Sequence, residues 1–175
     1  MVVVITSNKG GVLKTTMTIN LAGVLAKQGH KICILDFDGQ SNIINSFKTL
    51  KESRNINGSL MDILLKSKRI EEVLDKTVND LVVDSLKPHG GHIHAIYSKP
   101  DVGDYLELVS NGKIHPDALK TLIAGLDKKY DFVIIDTPPS IDSALNEIAL
   151  IASEKIIVPF ELQQYNINGV LNLRK

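Results

Sequence analysis

The sequence predicts an α/β fold: a doubly wound, mostly parallel sheet flanked by helices, with residues 1–175 as one domain. Three observations carry this expectation. The apolar runs Val2-Val3-Val4-Ile5, Ile32-Cys33-Ile34-Leu35 and Phe132-Val133-Ile134-Ile135 show no polar alternation, as strands buried on both faces do. Stretches with apolar residues at helical spacing separate these runs. Each run leads into a turn rich in Gly, Asp or Pro, and strand C-terminal ends are where open α/β sheets hold their ligands.

Composition sets the outer limits. The chain is 43% hydrophobic and 23% charged, ordinary for a globular domain of 175 residues with a sizeable core. Lysine plus arginine equal aspartate plus glutamate at 20 each, so net charge gives no sign of a nucleic-acid partner, although a local basic patch stays open. Cys33 is the single cysteine. It excludes an intrachain disulfide, a zinc ribbon and a Cys-ligated cluster within one chain, and it fits a reducing compartment. No apolar run approaches the roughly 18–20 residues of a membrane-spanning helix. The start, Met-Val-Val-Val-Ile, has no basic segment before it and reads as a strand, not a signal peptide.

In chain order, the first strand covers residues 2–7 and runs into KGGVLKTT at positions 9–16. A helix from about 14 to 28 follows, with Met17, Ile19, Leu21, Ala22, Val24 and Leu25 as its apolar residues. Gly29 is placed to close it with a left-handed cap. The second strand, Lys31 to Asp36, ends in DFDGQ. Residues 43–79 read as mostly helical, with a break at Asn57-Gly58 and Ser59 as the cap of a helix carrying Leu60, Met61, Ile63, Leu64 and Leu65. Leu81-Val82-Val83 and Tyr105 to Val109 read as short strands. Between them, Pro88 to His94 reads as a surface loop. Its histidines, His89, His92 and His94, have no carboxylate or cysteine among them, so no metal site is expected there. His115-Pro116-Asp117 opens a helix with Leu119, Leu122, Ile123 and Leu126. Tyr130 to Asp136 forms a central strand that leaves through Thr137-Pro138-Pro139-Ser140. A helix from 142 to about 153, a strand from Lys155 to Phe160 and a helical start at 166–175 complete the reading.

The stretch that carries chemistry is KGGVLKTT. A triphosphate needs many donors at short range and a cation. Gly10 and Gly11 let the backbone bend sharply and turn its N–H groups inward. The first turn of the following helix leaves further N–H groups unpaired at the positive end of the helix dipole. Lys14 is placed to reach the β- and γ-phosphates, Thr15 to ligate Mg²⁺ through its hydroxyl, and Thr16 to contact the α-phosphate. The pattern G-x-x-x-x-G-K-[ST] is broken at Asn8 and at Leu13. Leu13 is expected to have right-handed helical φ/ψ already, where leucine fits well. The pattern that does match is KGGxxK[ST], with a second lysine, Lys9, early in the loop.

With that loop, the sequence resembles the ParA/MinD family of ATPases. The resemblance implies that Lys9 crosses a dimer interface to the nucleotide of the other subunit. DFDGQ is similar to the family's D-x-D-P-Q, with Gly39 in place of the proline. By resemblance, Asp38 orients the attacking water and couples hydrolysis to dimerisation, and Asp36 lies near Mg²⁺ and its waters. Tyr130 to Ser140 resembles the family's Walker B with its DTPPS tail, so Asp136 holds a water of the Mg²⁺ shell. The implied catalytic set is Lys9, Lys14 and Asp38. The implied nucleotide contacts are Lys9, Gly10, Gly11, Val12, Leu13, Lys14, Thr15 and Thr16. The implied metal set is Thr15, Asp36 and Asp136, and the cofactors are ATP and Mg²⁺.

The resemblance further implies an ATPase that acts as an ATP-switched dimer in plasmid or chromosome partitioning, of the ParA/Soj type. Its implied partners are a second copy of the chain, a ParB-type centromere-binding protein and non-specific DNA, in a cytoplasmic, nucleoid-associated setting. A membrane partner is not expected. A first strand at residue 2 fits the small type without a helix-turn-helix extension. Relatives continue through further strands and helices, so the chain is expected to be C-terminally short of the family. Alternatives are a MinD-like positioning ATPase on a membrane or protein surface, a nucleotide-dependent binding module that hydrolyses little, and a metabolic ligase or kinase with the same loop. A nitrogenase-iron-protein reading fails, because it needs two cluster cysteines per subunit.

Overall fold

The computed structural model describes residues 1–40, 42–47, 56–76, 78, 90–98, 105–139 and 144–160. Its sheet holds β1 (Val2–Ile5), β2 (Lys31–Asp36), β3 (His92–Ile96), β4 (Phe132–Asp136) and β5 (Lys155–Ile157), ordered β3-β2-β4-β1-β5. Every pairing in this sheet is parallel. The expected doubly wound sheet is therefore present.

Both faces of the sheet are covered, and for this reason the strands lack polar alternation. Ile32, Ile34, Ile93 and Ile134 meet Ala22 and Ala26 of α1 (Lys14–Lys27) and Ile43 and Ile44 of α2 (Asn42–Phe47). Val4, Cys33, Leu35, Val133 and Ile135 point the other way. They pack against a layer that includes α3 (Leu60–Leu64), α4 (Ile70–Val73), α5 (Tyr105–Ser110), α6 (Ala118–Asp127) and α7 (Ala144–Ala152).

α1 runs as expected and closes at Gly29, whose φ is 98°. The break before α3 is also present. Gly58 has φ 128°, and the Ser59 N–H donates to Asp62 Oδ2 at 2.7 Å, closing a capping box. The described part of 43–79 is less helical than expected, with three short helices of 6, 5 and 4 residues.

Three expectations need correction. The stretch His92–Ile96 is strand β3 and not a loop; it pairs with Lys31–Leu35. Its His-Ile-His-Ala alternation is the period of a half-covered edge strand, with Ile93 and Ala95 buried and His92 and His94 partly exposed. Tyr105–Ser110 is helix α5 and not a strand. Tyr105, Leu108 and Val109 stand at helical spacing and pack together on the core, whereas Leu106 is exposed. β5 stops at Ile157 instead of reaching Phe160, because Pro159 has no N–H to extend a ladder. The expected strand at 81–83, His89, the first residues of the helix expected from 142 and the helical start at 166–175 lie outside the described residues.

Gly91 fixes how closely α1 approaches the entry to β3. A Cβ there would stand 1.9 Å from the Ala26 carbonyl oxygen, with no flexible side chain to yield. Gly91→Ala is expected to destabilise the fold by about 1–3 kcal/mol, the range of overpacked sites. Urea unfolding measures this, and an unchanged midpoint would contradict the contact.

Candidate functional site

The site is assembled from the C-terminal ends of neighbouring strands. β1 exits through Thr6 and Ser7 into the glycine loop, which ends where α1 begins. β2 and β4 run in register, with Asp36 opposite Asp136, so the two carboxylates emerge side by side. The Phe37 N–H donates to the Asp136 carbonyl at 2.9 Å and extends the ladder one step past the strand. The Thr137 hydroxyl donates to the Ile5 carbonyl at 3.1 Å and ties the exit of β4 to that of β1.

A cleft of about 550 Å³ opens over this edge. One wall is the loop from Gly10 to Thr16; the other includes Asp38, Gln40, Asn42, Asn45, Ser46 and Pro139. The loop supplies few groups that would compete with a bound anion. α1 has no side-chain cap and no acidic residue in its first turn. Its first N–H groups and the positive end of its dipole face an anion unopposed. Val12 is buried and anchors the loop.

Leu13 departs from expectation. Its φ and ψ are 64° and 25°, left-handed and not right-handed. The turn needs positive φ at this position, which is why the common form of the motif has glycine there. Leucine in this conformation is strained by about 1–2 kcal/mol, and its side chain is 67% exposed at the rim of the cleft.

Lys14 is largely buried, and its Nζ donates to the Lys9 carbonyl at 3.3 Å across the loop. Burial lowers its pKa, and the nearby carboxylates of Asp136 and Asp38 oppose the shift. The Thr15 hydroxyl donates to Asp136 Oδ2 at 2.7 Å. Asp136 is 1% exposed. Burial pushes its pKa up to about 6, with the Thr15 and Thr18 hydroxyls and Lys14 pulling down and Asp38 pushing up. Asp36 is fully buried, and among the described residues its Oδ2 has no hydrogen-bond partner. Burial and then the neighbouring Asp136 hold its pKa well above the usual carboxylate range, against the backbone amides of Asp38 and Ile43.

Asp38 stands at the mouth. The Gln40 N–H donates to its Oδ1 at 2.9 Å, and Asn42 Nδ2 donates to its Oδ2 at 3.4 Å. Thr16 lines the cleft with the loop. Lys9 is exposed and is not part of the lining; its amide donates to Ser7 Oγ at 3.2 Å. Lys14, Thr15, Asp36, Asp38 and Asp136 are thus gathered at one sheet edge, while Lys9 is exposed and does not line the cleft.

The composition of the edge fits a hard divalent cation. The carboxyls of Asp136 and Asp38 act on the Lys14 ammonium, Asp36 stands beside Asp136, and among the described residues Asp36 Oδ2 has no donor. Among the described residues, no three His, Cys, Asp or Glu side chains could chelate a metal alone. Mg²⁺ is held in general by one or two protein groups and completes its shell with waters and phosphate oxygens. Sequence reasoning missed Thr18, which is fully buried and donates to Asp136 Oδ1 at 3.2 Å. The signal was its i, i+3 spacing from Thr15, which puts both hydroxyls on one side of α1. It also left out Gln40 and Asn42 as site residues, although both flank Asp38.

Two substitutions follow from these environments. A carboxyl whose folded pKa is raised costs stability above that pKa, and the cost fades as pH falls and the group takes up its proton. Asp136→Asn is therefore expected to raise the melting temperature at pH 8. The advantage shrinks below about 6 and is gone near pH 4, where wild type is protonated folded and unfolded alike. Thermal scans across pH measure it; a pH-independent difference would contradict the shift. Leu13→Gly removes the left-handed strain but loosens the unfolded chain, for a net gain of about 0–1 kcal/mol. A loss of more than 1 kcal/mol in urea unfolding would contradict the strain.

The geometry finds its counterpart in known proteins. Over residues 1–175 the chain matches a family model described as an AAA domain. A ParA family protein of Mycoplasma pneumoniae is 33% identical over 99% of this chain, which spans 63% of that protein's length. A plasmid partition protein of Borrelia burgdorferi superposes with a TM-score of 0.75 at 29% identity, over 99% of this chain and 70% of that one. Cobyrinic acid a,c-diamide synthase of Mycobacterium smegmatis, solved with an ATP analogue and magnesium, gives 0.77 at 26% identity, over 99% and 65%. The family model covers the whole of residues 1–175 and the similar proteins align along nearly all of it: the chain belongs to the ParA/MinD family of P-loop proteins.

Proposed function

We propose that the chain is a Mg²⁺-dependent ATPase that works as an ATP-switched dimer in plasmid or chromosome partitioning. The observation that carries the reading is the cleft itself. The loop from Gly10 to Thr16 faces Asp38 across it, and Thr15 is bonded to Asp136 behind it. The names of the similar proteins, a ParA family protein and a plasmid partition protein, support the cellular role.

In this reading the loop amides and Lys14 bind the phosphates, with Lys14 on the β- and γ-oxygens. Thr15 and Asp136 hold Mg²⁺ and its waters, and Asp36 adds its charge from below. When bound, Mg²⁺ supplies neutralisation of the phosphate oxygens. Asp38 orients the attacking water, held at the mouth by Gln40 and Asn42. Lys9, outside the lining, is free to reach the nucleotide of a second copy. The partners are that second copy, non-specific DNA and a ParB-type protein that stimulates hydrolysis, in a cytoplasmic, nucleoid-associated setting.

A second reading has its own observation. The resemblance to a diamide synthase supports an ATP-dependent ligase on the same fold. Such an enzyme would turn over ATP only with a small carboxylic substrate, without regard to DNA.

Analytical sedimentation with ATP and with ADP, then co-sedimentation with random duplex DNA or with anionic liposomes, tests the proposal. The expected result is an ATP-dependent dimer that pellets with DNA and not with liposomes. Lys9→Ala should bind ATP yet stay monomeric; Asp38→Ala should dimerise but hydrolyse no ATP. Liposome binding alone would favour a MinD-like role. A monomer in ATP that pellets with neither would overturn the partition reading.

A further inference from the structure

Thr18 is a buried polar side chain that touches the site and that the motif does not account for. It sits on α1 one turn beyond Thr15, fully buried. Its hydroxyl has one proton and two acceptors in reach: Asp136 Oδ1 at 3.2 Å and the Lys14 carbonyl at 3.1 Å. A helix carbonyl already accepts a backbone N–H, so it gains little from a second donor. A buried carboxylate oxygen without a donor costs far more. The balance favours Asp136.

The consequence is a clamp. Asp136 receives Thr15 on Oδ2 and Thr18 on Oδ1, both from the same side of one helix. Rotation of a carboxylate about its last bond is otherwise soft. Lys14 is close enough for its charge to act on the Asp136 carboxyl. A carboxylate with only Thr15 to hold it could turn toward that ammonium and draw it off the phosphates. Threonine suits the clamp because its branched Cβ stiffens the side chain in a helix.

We propose that Thr18 is a positioning residue for Asp136: its hydroxyl fixes Oδ1, so that Oδ2 stays turned toward Thr15 and the metal's water shell. The inference rests on the nucleotide-site reading given above. It concerns only how this chain's own groups are held, and Thr18 touches neither nucleotide nor metal in it.

The test is binding rather than turnover. A fluorescent ADP analogue is titrated against wild type, Thr18→Val and Thr18→Ser, without Mg²⁺ and over a Mg²⁺ series. In wild type, Mg²⁺ is expected to tighten nucleotide binding. Thr18→Val keeps the shape and deletes the hydroxyl. It should bind the nucleotide as wild type does without Mg²⁺, but need about 10–100-fold more Mg²⁺ for the same gain, the usual effect of losing a group behind a metal ligand. Thr18→Ser, which keeps the hydroxyl, should stay within about threefold of wild type, well inside that effect. A Mg²⁺ requirement unchanged in Thr18→Val would overturn the proposal. So would equal loss in both variants, which would point to packing. If Thr18→Val does not fold, Thr18→Ser decides: a wild-type Mg²⁺ requirement supports the hydroxyl, and a raised one contradicts it. If wild type itself binds nucleotide without regard to Mg²⁺, the nucleotide-site reading fails first and the positioning role with it.

Discussion

Asp36 and Asp136 stand opposite each other on the β2–β4 ladder, both almost wholly out of water. Two neighbouring buried carboxylates oppose each other's ionisation, and burial opposes both. The protein meets this by holding protons on them more tightly and by aiming donors at them: two hydroxyls on Asp136, and the amides of Asp38 and Ile43 on Asp36. The arrangement is costly for a bare fold. In the proposed reading, a divalent cation with its waters beside the pair would offset that cost. The sheet register, the helix that carries Thr15 and Thr18, and the loop that carries Lys14 all converge on that one electrostatic condition.

The loop adds a second unfavourable term. Leu13 keeps a backbone conformation suited to glycine, and its side chain is exposed. Such strain persists only where surrounding structure fixes it. Here Val12 is packed on one side of Leu13. On the other, the Met17 N–H donates to the Leu13 carbonyl at 2.9 Å and starts the helix. The geometry of the loop is therefore imposed by its two ends, and the residue at position 13 must accept it.

The fold was legible because buried parallel strands announce themselves: β1, β2 and β4 are apolar without alternation, and their ends carry Gly10-Gly11, Asp36-Phe37-Asp38 and Asp136. The edge strand β3 was hidden because its alternating histidines look like a polar loop until Ile93 and Ala95 are seen to face the sheet's covered side. α5 was hidden because five residues, Tyr105 to Val109, satisfy both periods, and only packing against the core chooses between them. In the site, the motif located Lys14, Thr15 and Asp136 but misjudged Leu13, since a motif match records residue types and not the sign of φ. Thr18 escaped because its role depends on a strand more than a hundred positions away.

Asp38, which lines the cleft, and Asp136, which stands behind it bonded to Thr15, differ in how they are held. Asp136 is held by two hydroxyls from the helix that also presents Lys14, so in the proposed reading the metal and phosphate contacts would share one rigid element. Asp38 leans on the turn that follows β2, through one backbone amide and a long bond from Asn42 on the short helix α2. Bonds confined to one turn and one short helix yield at lower free energy than bonds anchored in the sheet. A second chain pressing on the rim at Leu13 and Asn42 would therefore move Asp38 before it moved Asp136. In the proposed reading, binding would persist while hydrolysis waits, because the group assigned there to orient water sits on the softer of the two supports.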